Sequence, residues 1–141
     1  MIEQTPIESF LAEKKLALAG ASSKANKFGN MVYKELCNKG YELHITHPVA
    51  SEINGVACSG SLADLSAEVG GLINVVPPAQ TEKLVREAHS AGIMKIWMQQ
   101  GSESPEAIQY CKEHEMEVVH GECILMFSQP RGLHKFHHWL W

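Results

Sequence analysis

The sequence predicts an α/β fold with a parallel sheet, and three observations carry that prediction. Apolar runs such as Leu16-Ala17-Leu18-Ala19 and Gly71-Leu72-Ile73-Asn74-Val75-Val76 are too continuous for strands with one wet face, so they belong in a sheet covered on both sides. Between such runs lie segments whose apolar residues recur at helical spacing. The two kinds of segment alternate along the chain, with small or turn-forming residues at their junctions.

The elements follow in order. Thr5-Pro6-Ile7-Glu8 combines a cap, a proline for the first helical position and an acid that bonds back to the cap, which predicts a short helix carrying Ile7, Phe10 and Leu11 inward. Residues 16–19, ending at Gly20, form the first strand. Residues 20–29 are small and polar and lead into a helix with Gly29, Val32 and Leu36 on one face, closed by Gly40. Residues 41–46 alternate apolar and polar, a second strand running into His47-Pro48. A short extended piece near Val56-Ala57-Cys58 precedes a brief capped helix at Ser61-Leu62-Ala63-Asp64. The strand at residues 71–76 stops at Pro77-Pro78, and Thr81, Leu84, Val85 and Ala88 mark the helix that ends before Gly92. Residues 94–98 return as a strand, Ser104-Pro105 opens a helix with Ala107, Ile108 and Cys111 inward, and residues 116–119 make the last strand. Right-handed crossovers turn this alternation into a three-layer Rossmann-like parallel sheet with strand order 3-2-1-4-5-6.

A chain of 141 residues fits one such domain, so residues 1–141 are expected to form a single unit. No run of about 18 apolar residues is present and the N-terminus lacks the pattern of a secretory signal, so a cytoplasmic protein without membrane contact is expected. Cys37, Cys58, Cys111 and Cys123 form no Cys-x-x-Cys pair and suit reduced, packed thiols. A net charge of −4 removes the long-range attraction that nucleic-acid binders use.

Ligands of open α/β sheets bind beyond the carboxyl ends of the strands where the strand order reverses. That rule gathers residues 20–30, 46–48, 76–78 and 98–101 around one crevice. The first of these is a phosphate cradle in the making. Small residues let backbone N–H groups approach an anion, the helix that follows points its positive end at it, and Lys24 and Lys27 add charge. Gly20-x-Ser22-x-x-Ala25 lacks the second and third glycines of the dinucleotide fingerprint. The second strand ends in Thr46-His47-Pro48, where NAD-binding folds place an acid for the ribose hydroxyl. Without that acid, and with His47 and two lysines, the corner suits a ligand whose adenosine ribose carries a phosphate, as coenzyme A and NADP do.

Gly20-Ala21-Ser22, His47-Pro48, Ser61-Leu62-Ala63-Asp64, Val75-Val76-Pro77-Pro78, Trp97-Met98-Gln99-Gln100-Gly101 and Glu122-Cys123-Ile124 occur here in one order. As an ordered set they resemble the small stand-alone CoA-binding proteins, relatives of the cofactor domain of the succinyl-CoA synthetase α subunit. The resemblance covers roughly residues 14–127. It implies coenzyme A, or an acyl form, as the ligand. Gly20, Ala21, Ser22, Ser23, Lys27, Gly29 and Asn30 would then face the pyrophosphate, and Thr46, His47 and Pro48 the adenosine. Val76, Pro77, Pro78 and Gln99 would form the third wall. Many relatives carry Asn where this chain has His47, and the synthetase's second domain with its phosphorylated histidine is absent, so its catalysis is not implied.

No serine triad, nucleophile elbow or paired carboxylates stand out from spacing, and no catalytic residue is assigned. The enzyme alternative, an NADP-dependent or acyl-transfer reaction, would use Cys123 or His47. A third reading is an interaction protein with a vestigial nucleotide site. Its contact surface would be the tail, residues 132–141, which as a helix aligns Leu133, Phe136 and Leu140 on one face, to pack on the domain or on a second copy of the chain. His134 and His138 share a face of that helix, but two imidazoles alone are a poor metal site, and no metal ligand is assigned.

Overall fold

A computed structural model describes residues 5–24 and 27–128. The sheet has seven strands in the order β3-β4-β2-β1-β5-β6-β7, comprising β1 (Lys15–Ala19), β2 (Glu42–Thr46), β3 (Glu52–Ile53), β4 (Val56–Ser59), β5 (Gly71–Asn74), β6 (Lys95–Gln99) and β7 (Glu117–Glu122). The six parallel strands taken alone follow the expected 3-2-1-4-5-6. The difference is β3, which pairs antiparallel with β4 and adds an edge that the sequence pattern does not announce. Asn54 and Gly55 turn that hairpin with φ of 49° and 83°, both left-handed, as a two-residue primed turn requires.

Among the described residues five α-helices cover the sheet: α1 (Pro6–Ala12), α2 (Phe28–Asn38), α3 (Pro78–Ser90), α4 (Pro105–Glu113) and α5 (Ile124–Ser128). A 3-10 turn spans Leu62–Leu65, opened by Ser61, whose hydroxyl accepts the Ala63 N–H. The capping box at Thr5 is formed, with Glu8 Oε1 2.9 Å from the Thr5 nitrogen. Gly29, Val32 and Leu36 are the buried positions of α2, as their spacing predicts. Ser104 caps α4 by accepting the Ala107 N–H.

Side chains alternate across the buried strands into two cores. Leu16, Leu18, Ile73 and Trp97 pack on one face with residues of α1, α2 and α5, while Ala17, Leu72, Ile96 and Met98 pack on the other with α3 and α4. Trp97 is fully buried, with its ring centroid 5.5 Å from that of Phe10. Lys95 Nζ meets Glu13 at 2.6 Å and fastens the end of α1 to β6. Among the described residues no helix is long and apolar enough to cross a membrane. The tail at residues 132–141, with its expected part in a homodimer, lies outside the described residues.

Candidate functional site

From β1 the chain winds through β2 to β4 on one side and then, from β5, through β6 to β7 on the other. The reversal lies between the paired strands β1 and β5, and above their carboxyl ends is where open α/β sheets have their ligand crevice. Gly20 leaves β1 with φ of 123°, a conformation that disfavours side chains, and a Cβ there would overlap the carbonyl of Val75, the residue just past the end of β5. Gly29, in the first turn of α2, packs equally close, and a Cβ on it would overlap the Gly20 carbonyl oxygen. Two of the close approaches that the dinucleotide fingerprint makes with glycine therefore exist here, at a wider spacing than that fingerprint allows.

Asn30 holds the loop between them. Its Oδ1 accepts the Ser22 N–H at 2.9 Å, and its Nδ2 donates to the Ser22 carbonyl at 2.6 Å and the Lys24 carbonyl at 2.9 Å. Ser22 Oγ accepts the Lys24 N–H at 3.1 Å. Both amide hydrogens of Asn30 are thus spent on backbone, which makes it a positioning residue for the loop. Lys27 stands at the N-cap of α2 without a side-chain capping bond; the Asn30 N–H turns back to the Lys27 carbonyl at 3.1 Å, which leaves the N–H groups of Phe28 and Gly29 and the helix dipole available to an anion. Ser23, Lys24 and Lys27 are exposed.

At the end of β2, Thr46 is buried and its hydroxyl donates to the Ser59 carbonyl at 3.1 Å. His47 Nδ1 accepts the N–H groups of Val49 at 3.1 Å and Ala50 at 2.9 Å. Those two bonds require the tautomer with hydrogen on Nε2, so the ring offers a neutral N–H donor, where the sequence alone groups it with the lysines as a source of charge. Pro48 is exposed beside it.

Across the crevice, Val76 donates its N–H to Ser102 Oγ at 3.0 Å. Pro77 and Pro78 open α3 and are exposed. Glu103 clamps the adjoining loops, accepting the Gly101 N–H at 2.8 Å and the Gly121 N–H at 3.1 Å. Gln99 is buried and its Oε1 accepts the Ile124 N–H at 3.0 Å, tying β6 to α5. Ser102 and Glu103 are not among the residues that sequence reasoning picks out. Their signal, a polar run after Gly101, is visible there only as the cap at Ser104.

Cys123 is buried in the apolar core with Ile124 and Trp97, while His120 on β7 is exposed. Burial pushes the Cys111 thiol up to about 11, and burial with the Glu52 carboxylate raises that of Cys58. A mainly apolar cavity of about 170 Å³ lies between α2 and the β3–β4 hairpin, lined in part by Tyr33, Ile45 and Val56.

Comparison with known proteins gives three kinds of match. A family model described as a CoA binding domain matches residues 14–129. The uncharacterized protein YneT of Bacillus subtilis is 29% identical over 112 residues, covering 79% of this chain and 82% of that protein. An ADP-forming acetate–CoA ligase of Archaeoglobus fulgidus is 25% identical over 132 residues, which are 86% of this chain but 19% of the ligase. Among solved structures, a conserved hypothetical protein of Pyrococcus furiosus is 37% identical with a TM-score of 0.75, covering 79% of this chain and 97% of its own.

Proposed function

The chain belongs to the CoA-binding domain family, and on that basis we propose that it binds coenzyme A or an acyl-CoA in the crevice above β1 and β5, in the cytoplasm, as a cofactor-holding module. The observation that carries the reading is the loop after β1, where Gly20 and Gly29 let strand and helix backbones touch and Asn30 fixes the turn between them. Such a loop presents small residues and a helix N-terminus to an anion. The pyrophosphate lies against residues 20–23 and the first turn of α2. The adenosine with its ribose phosphate lies toward Thr46, His47 and Pro48, where His47 supplies a neutral donor through Nε2. The pantetheine arm runs past Val76, Pro77 and Pro78. The ligase activity of the archaeal relative is no part of the proposal, since the match spans 19% of that protein.

Lys27 provides the test. It is exposed at the N-cap of α2, so Lys27→Glu leaves folding intact and places a negative charge beside the phosphates. Coenzyme A dissociation measured by calorimetry is expected to weaken by about tenfold or more at low salt, with an unchanged Tm and a smaller dependence on salt concentration. An unaltered Kd would remove the phosphates from this loop.

A further inference from the structure

The cavity between α2 and the β3–β4 hairpin has walls from four parts of the fold. Ala21 comes from the loop after β1, Tyr33 from α2, Ile45 from β2, and Ile53 and Val56 from the hairpin. Asn30 and Asn54 supply its polar edges, and no charged side chain among the described residues lines it. At about 170 Å³ it has room for one aromatic ring, since a dry apolar cavity of about 150 Å³ holds benzene. Met31, next in the chain to Asn30, is 52% exposed, an uncovered apolar side chain on the same helix.

We propose that this cavity seats Phe136 from the chain's own C-terminal segment, which crosses the outside of α2 to reach it. The path is short. α5 packs against α2, and its Phe127 ring centroid lies 6.1 Å from that of Trp97 on β6, so α5 stands on the β5–β6 side of α2 while the hairpin stands on the β4 side. A segment leaving Ser128 has one helix to pass, roughly 10–12 Å across with its side chains. Phe136 follows Ser128 by about eight residues, which span up to roughly 26–29 Å when extended. Pro130 and Gly132 suit the change of direction. The composition fits the path as well. Leu133, Phe136 and Leu140 share a face at helical spacing, and with the Phe136 ring in the cavity Leu133 falls against Met31. All 16 acidic residues precede residue 129, whereas residues 129–141 bring Arg131 and Lys135 and no acid, so the segment is drawn to the body of the domain. Glu35 on α2 and Glu52 on the hairpin add to that attraction, and the exposed Lys34 opposes it. The tether holds the ring at an effective concentration of about millimolar, so the chain's own cavity fills before that of a second copy. Ala21 and Asn30 belong both to the cavity and to the loop after β1, so the seated ring braces that loop from behind. This last consequence rests on the coenzyme A reading, and the docking itself does not.

Nuclear magnetic resonance of the full-length protein with labelled Ile and Val methyl groups tests the docking. Phe136 ring protons are expected to show Overhauser contacts to the methyls of Ile53 and Val56, whose signals lie upfield from the ring current and move downfield in Phe136→Ala while the circular dichroism stays native. When labelled Phe136→Ala chains are mixed with unlabelled native chains, the upfield positions should not return. Methyl signals that do not move in Phe136→Ala overturn the docking, and signals restored in the mixture assign the cavity to the tail of a second copy instead. Calorimetry reads the brace: Phe136→Ala should bind coenzyme A several-fold more weakly, and an equal Kd would remove the bracing. Should coenzyme A bind neither protein, the methyl shifts still decide the docking.

Discussion

Gly29→Ala is expected to lower stability by about 2–3 kcal/mol and coenzyme A affinity by at least about tenfold, although alanine is the better helix former. The reason is space. Gly29 lies outside the left-handed region, so alanine costs nothing in backbone conformation, but its methyl would overlap the Gly20 carbonyl, a backbone atom that cannot step aside without moving the loop. Gly40 is the converse case, with φ of 94° and nothing within 4 Å of the position a methyl would take. Gly40→Ala should cost only the left-handed strain, about 1–2 kcal/mol, and leave ligand affinity intact. Urea unfolding and calorimetry on the two variants check the pair. Equal affinity losses would mean that the closeness of α2 to β1 does not shape the site.

Asn30→Ala should separate loop shape from overall stability. It deletes one acceptor and two donors that close the turn onto itself at 2.6–2.9 Å. These bonds are half-exposed, so water replaces them and stability falls by about 1–2 kcal/mol. The loop, however, loses the side chain that ties the Ser22 and Lys24 backbone to α2, and coenzyme A affinity is expected to fall by about ten- to a hundredfold. Asn30→Asp keeps the acceptor for the Ser22 N–H but turns carboxylate oxygens toward two carbonyls and toward the phosphates, so it should bind more weakly than Asn30→Ala. A stable Asn30→Ala protein with native affinity would assign the loop's order to something other than this clasp.

Much of the fold is legible in the sequence because it depends on local pattern. Continuous apolar runs mark the buried strands, and the spacing of Gly29, Val32 and Leu36 marks the inward face of α2. The β3–β4 hairpin escapes notice although Asn54-Gly55 is a strong turn signal, since the two-residue strand Glu52–Ile53 leaves no alternation to detect. α5 has five residues, too few for a helical period.

The site is legible as a set of loops and less so as chemistry. Strand order alone brings residues 20–24, 27–30, 46–48 and 76–78 to one end of the sheet. Which atoms stay available depends on bonds that carry no periodicity: Asn30 to a loop eight residues back, Glu103 to Gly121 across 18 residues, and Gln99 to Ile124 across 25. The tautomer of His47 is likewise decided by two backbone N–H groups in a turn whose shape no spacing announces.

Whether the crevice holds coenzyme A is decided by calorimetry of coenzyme A, dephospho-coenzyme A, NADP and NAD on protein freed of endogenous ligand. One coenzyme A should bind per chain, with dephospho-coenzyme A weaker by about tenfold for loss of the phosphate near His47, and both dinucleotides weaker than coenzyme A. No heat from coenzyme A, or tighter binding of NADP, would contradict that assignment.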